Sequence, residues 1–167
     1  MFTDVNDFLA SGGPVLFSIL LVSIVLWVLI IDRYWFFAKD AAVLCKKQYD
    51  NWLSLPNHDS WHALQIRNKI ISYVKIEFDR YRSLIHLLVV ICPLLGLLGT
   101  VTGMIKVFDI MAITGTGNAR AMASGISMAT VPTMAGMVVS LIGLYFKSRF
   151  DSLAKKQLES FKDTLFK

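Results

Sequence analysis

Charge is scarce in this chain. Asp, Glu, Lys and Arg make up 17% of its 167 residues, against about 25% in soluble domains. The shortage is concentrated: Val15 to Ile31, Leu84 to Ile105 and Ala121 to Phe146 contain no Asp, Glu, Lys or Arg. None of these runs can offer a carboxylate that takes up and releases a proton deep in a bilayer. Cysteine is nearly missing too. Cys45 lies in a polar segment and Cys92 in an apolar run, which argues against a disulfide framework and leaves two inert thiols. His58, His62 and His86 have no zinc spacing, and no nucleophile elbow is present. An enzyme, a bound metal and a cofactor are therefore not expected.

What is abundant is apolar surface, 55% of the residues, with eleven Phe, seven Met and four Trp. That is too much for a soluble core in a one-domain chain. The reading is an all-α membrane protein with three transmembrane helices extended into a cytoplasmic helical bundle. The expected segments are an N-terminus at 1–13, span 1 at 14–31, a cytoplasmic helical segment at 32–83 and span 2 at 84–111. A turn at 112–120, span 3 at 121–146 and a tail at 147–167 complete them. Pro14 suits a first helical turn, and Tyr34-Trp35-Phe36-Phe37 forms an interfacial aromatic cluster. Asp4 and Asp7 precede the first apolar run, where a signal peptide would carry positive charge.

The distribution of the +5 net charge sets the orientation. Residues 33–83 hold nine Lys and Arg and 147–167 hold six, while 1–13 hold none and 113–120 only Arg120. The positive-inside rule places the basic segments in the cytoplasm and the N-terminus outside, and an odd number of crossings agrees. These charges flank apolar runs, so they point to membrane lipid and not to nucleic acid. Trp61, Leu64, Ile70, Tyr73, Val74, Phe78 and Tyr81 predict a helix over 61–82, with Asp59 or Ser60 as its cap. Phe150, Leu153, Leu158, Phe161 and Leu165 predict a less regular tail helix. Phe2, Val5, Phe8 and Leu9 suggest a short helix on the outer membrane surface.

Small residues pattern the later spans. Gly125, Ala129, Thr133, Gly136, Ser140 and Gly143 recur at three and four residues, as do Gly96, Gly99, Thr100 and Gly103. Such stripes let helices approach closely in lipid. With Thr100 and Thr133 beside them, they also suggest a narrow polar path. Pro132 cannot donate to the Met128 carbonyl, so a kink and a freed acceptor are expected. Lys106 and Asp109, three residues apart, are placed to pair near the outer interface, either as a self-neutralised pair or as an outer gate.

Cys92-Pro93-Leu94-Leu95-Gly96-Leu97-Leu98-Gly99-Thr100-Val101-Thr102-Gly103-Met104 resembles the P-x-x-G-L-x-G-T-V-x-G-[MI] signature of the MotA/TolQ/ExbB proton-channel family. Gly125-Ile126-Ser127-Met128-Ala129 with Thr133 and Gly136 resembles that family's third-helix stretch, with Thr130 in place of its usual leucine. The three-span topology is similar to the ExbB and TolQ branch. The resemblance implies a homopentameric ring in the bacterial inner membrane around a central pore. An ExbD-like single-span partner would supply the proton-carrying aspartate, and a TonB-like protein would pass on the work. Thr100, Thr133, Gly96, Gly99, Gly103, Ala129, Pro132, Gly136 and Ser140 would line the ion pathway, the threonine hydroxyls offsetting part of the cost of a charged partner aspartate. It implies proton-driven energising of TonB-dependent uptake of iron chelates, haem or vitamin B12. A TolQ-like role or a self-sufficient oligomeric channel is the alternative. Met128 stands where ExbB of the best-known branch has a glutamate, so the subunit itself is not expected to relay protons.

Overall fold

A computed structural model describes residues 13–54, 61–114 and 119–165, with residues 114, 119 and 121 by backbone alone. The expected outer-surface helix at Phe2 to Leu9 and the cap at Asp59 or Ser60 lie outside the described residues. Among those described, only Ser54, Arg80 and Tyr81 are not helical. Helix α1 spans Gly13–Trp35, a π-helical turn occupies Phe36–Asp40, and α2 continues over Ala41–Leu53. Then come α3 (Trp61–Asp79), α4 (Arg82–Thr114) and α5 (Ala119–Leu165). Gly13 takes φ 66°, a left-handed value that glycine adopts without steric cost, and Pro14 follows in the first turn.

Three helices are long and apolar enough to cross a membrane, as expected. Within their apolar windows only 28%, 28% and 22% of the residues are buried inside the chain. Most of that surface therefore points outward, which suits lipid and not water. The helices outrun the spans. α5 continues without interruption through Pro132 and through the whole described tail.

The chain divides into two compact units. The first holds the described residues of 1–28 and 86–144. Its α4 and α5 portions run antiparallel. Moving along α4 from Val89 through Cys92, Gly96, Gly99 and Gly103 to Val107, the α5 partners fall from Gly143 through Gly136, Thr133, Pro132 and Ala129 to Gly125. A methyl on Gly96 would sit 2.9 Å from the Thr133 Cα, and one on Gly103 2.6 Å from the Ala129 Cα. Backbones this close admit no side chain. α1 adds Val15 beside Gly99 and Leu26 beside Gly143.

The second unit holds the described residues of 29–85 and 145–167. Its core joins Ala41 and Trp52 of α2, Ala63, Ile70, Val74 and Phe78 of α3, and Phe161 and Leu165 of α5. The helix expected over 61–82 ends instead at Asp79, and Trp61, Leu64, Tyr73 and Tyr81 are exposed. The buried stripe runs through Ala63, a small residue that the pattern of large ones hid. Two side chains hold the α3–α4 junction. The Arg33 Nη2 donates to the carbonyls of Phe78 and, at 2.9 Å, Glu77. Carbonyls at a helix C-terminus lack intrahelical donors, and a cation there meets the negative end of the helix dipole. Tyr81 then adopts φ 60° and α4 begins, while the Arg82 Nε bonds Asp151 of α5 at 2.8 Å.

Candidate functional site

The small-residue face expected to carry ions is, within one chain, the seam between α4 and α5. Gly96, Gly99, Gly103, Ala129, Pro132 and Gly136 are all buried. The Pro132 ring covers Gly99, and the Cys92 carbonyl covers Gly136. Thr100, Thr133 and Ser140 are half-buried along this face.

Hydrogen bonds define what the hydroxyls can still do. The Thr133 Oγ1 lies 2.9 Å from the Gly96 carbonyl oxygen across the seam. The Thr100 Oγ1 lies 2.7 Å from the Leu97 carbonyl of its own helix. The Thr102 Oγ1 reaches the Leu98 and Gly99 carbonyls at 3.0 Å, and the Thr130 Oγ1 reaches Ser127 at 3.2 Å. A carbonyl oxygen has no proton to give, so each hydroxyl is the donor. Each then has only lone pairs left for a guest. To offset the cost of a charged aspartate, as expected from the sequence, both hydroxyls would have to turn away from these carbonyls. Lone pairs accept from water, from a protonated carboxylic acid, or coordinate a cation, but they give a carboxylate nothing.

One element of the seam went unforeseen. Pro93 has no N–H to donate to the carbonyl of Val89 four residues earlier. The Ser140 Oγ of α5 lies 2.9 Å from that carbonyl and donates to it. Pro93 frees an acceptor just as Pro132 does, and the sequence carried the signal.

Lys106 and Asp109 form no ion pair, among the described residues, and both are exposed. Although a three-residue spacing permits a pair, the Lys106 Nζ turns toward Gly13, 4.0 Å from where a methyl on that glycine would lie. With Thr102 and Met128 it lines a cavity of about 40 Å³, room for about one water. No group of three or more His, Cys, Asp or Glu is placed to hold a metal, among the described residues.

Comparison with known proteins gives the family. Residues 40–163 match the MotA/TolQ/ExbB proton channel family. A Synechocystis sp. protein named biopolymer transport protein ExbB-like 1 is 32% identical, over 93% of this chain and 74% of its own length. The ExbB-like 3 protein of Synechocystis sp. is 39% identical over 47% of this chain and 38% of its own length. Biopolymer transport protein exbB1 of Vibrio cholerae is 39% identical over 39% of this chain and 29% of its own length. With three helices able to cross a membrane and the family match over most of its length, this chain is a membrane protein that belongs to the MotA/TolQ/ExbB proton channel family.

Proposed function

We propose that the chain is an ExbB-like subunit of an inner-membrane motor driven by the proton gradient. Five copies surround a pair of single-span, ExbD-like helices, and the work energises TonB-dependent uptake across the outer membrane. The observation that carries this reading is chemical. The charge-free runs of the three spans hold no acid, while the Thr100 and Thr133 hydroxyls keep only lone pairs for a guest. Such a wall receives a partner's acid in its protonated form and leaves it without hydrogen bonds once ionised. A carboxylate left bare in the bilayer costs several kcal/mol, which favours moving it on to a wetter position as it loses its proton. Turning the ring against the partner helices couples that step to work.

The names of the Synechocystis and Vibrio cholerae relatives support transport of this kind, and the nine Lys and Arg in residues 33–83 support a cytoplasmic middle segment. In this reading the segments are those drawn from the sequence, with residues 1–13 periplasmic and 147–167 cytoplasmic.

The test is complementation of a strain lacking its own ExbB-like subunit, with the candidate aspartate partner co-expressed. Thr133→Val is expected to assemble with the partner yet abolish proton-driven uptake, and Thr133→Ser to retain uptake. Normal uptake with Thr133→Val would refute the role. Strong proton conduction by the chain alone in liposomes would favour a self-sufficient channel.

A further inference from the structure

Away from the seam, the second unit contains a gap that its own sequence builds. Ala41, Cys45 and Tyr49 follow one another at four-residue steps and so share one face of α2. On α5, Gln157 and Phe161 have the same spacing. These side chains border one cavity of about 340 Å³, a size at the lower end of those that hold small ligands. Ala41 and Phe161 belong to the core of the unit, and Cys45 and Tyr49 pack against it. Ala41 and Cys45 stand where larger side chains would close the gap.

The polar groups around it are unmatched. The Gln157 Oε1 is closed to solvent, and no donor reaches it. An acceptor in that state has lost water and gained nothing in return. The terminal torsion of a glutamine is broad, so this amide can turn to an occupant of the cavity it borders. Lys46, also on the lining, is exposed and forms no ion pair among the described residues. Burial holds the Cys45 thiol above its ordinary pKa, so it stays neutral and puts no negative charge into the gap.

Each group asks for one part of a ligand. Ala41, Cys45 and Phe161 ask for an apolar body, and the Phe161 and Tyr49 rings favour an aromatic one. Gln157 asks for an O–H or N–H. Lys46, the one cation among the described lining residues, suits a single negative charge, hence a carboxylate and not a phosphate. Position gives the source. The chain from Ile31, where the charge-free run ends, to Cys45 is helical throughout, and at about 1.5 Å per residue it covers roughly 20 Å. That carries the cavity past the head-group level marked by Tyr34 to Phe37, so its occupant comes from water and not from lipid. We propose that this cavity between α2 and α5 binds a small hydroxy-aromatic carboxylate. The ring lies over Ala41 and Cys45, the hydroxyl donates to Gln157, and the carboxylate meets Lys46.

The experiment uses the full chain in detergent. Iodoacetamide labelling of Cys45, mapped by peptide mass, reads occupancy, and melting is followed in parallel. 4-Hydroxyphenylacetate is expected to slow the labelling and raise the melting temperature. Phenylacetate lacks the donor, and tyramine carries an ammonium in place of the carboxylate. Each is expected to need about tenfold more for the same protection. Gln157→Leu removes an oxygen that has no donor, so it is expected to melt no lower than the parent. In that variant the two acids should protect within about twofold of each other. Lys46→Gln is expected to erase the preference over tyramine. Equal protection by the three compounds, protection by none, a Gln157→Leu variant that melts far lower, or one that still prefers the hydroxyl would each overturn the proposal. The comparison of compounds needs no variant, so it decides the matter even if a variant fails to fold.

Discussion

Ser140 stands opposite Val89 so that the hydroxyl of one helix completes the backbone of the other. The donor that an ordinary residue 93 would give to the Val89 carbonyl is absent because residue 93 is proline, and the Ser140 Oγ at 2.9 Å replaces it. Ser140→Ala is expected to destabilise the chain by about 1 kcal/mol, the scale of one interhelical hydrogen bond or one stranded acceptor. Pro93→Ala restores the N–H, so the cost of Ser140→Ala should shrink in that background. Detergent-unfolding measurements on the two single variants and the double variant form the cycle, and equal costs in both backgrounds would deny the coupling.

Gly103→Ala drives the added methyl into Ala129, whose Cα would be 2.6 Å away and whose backbone nitrogen 2.9 Å away. Overpacking of this kind costs about 1–3 kcal/mol. The expected outcome is a lower melting temperature and a wider α4–α5 separation, measured by distances between spin labels on the two helices. Ala129→Gly in the same chain should recover part of the loss.

Arg33 is 3% exposed and bonds the last carbonyls of α3 with one planar group. Arg33→Leu leaves two acceptors without that donor and should cost about 2–3 kcal/mol. Arg33→Lys should rescue little, because an ammonium cannot reproduce the flat guanidinium beside the Phe36 and Phe37 rings. Hydrogen exchange of the amides around residues 77–85 is the readout, and protection equal to that of the parent would contradict the assignment.

Burial pushes the Cys45 thiol above its ordinary value. Only the thiolate reacts, and burial disfavours the charged form, so at any pH below the raised value the reactive fraction is smaller than in a free cysteine. Iodoacetamide labelling, mapped to Cys45 by peptide mass, is expected to be slow near neutrality. Its pH midpoint should lie above that of free cysteine. A midpoint at or below that of free cysteine would contradict it.

The three spans were legible in the sequence because a small chain has no soluble core large enough to hide such long charge-free runs. The glycine and threonine face was legible for a similar reason, since small residues at helical spacing survive as a pattern whatever they touch. The carbonyls that accept from Thr133 and Ser140 were not visible. They depend on the register of α4 against α5, which nothing in either helix states alone. The end of α3 was hidden for another reason. Glu77 to Arg82 contains no glycine or proline, and the break coincides with contacts made by Arg33, far away in sequence. In the tail, the five-residue step between Leu153 and Leu158 made the stripe look irregular. The helix tolerates it because both residues lie half-buried on the flanks, while Phe150, Phe161 and Leu165 are buried.

The π-turn at Phe36–Asp40 acts as a phase adjuster between Arg33 and the α2 core residues Ala41 and Trp52. An α-helix advances about 100° per residue, so removing a single residue from 36–40 would swing Trp52 by roughly that angle relative to Arg33. The indole would leave its slot among Ala63, Ile70 and Phe161. The length of this five-residue stretch is thus constrained more tightly than its composition, and single-residue deletions there should be far more damaging than substitutions at the same positions.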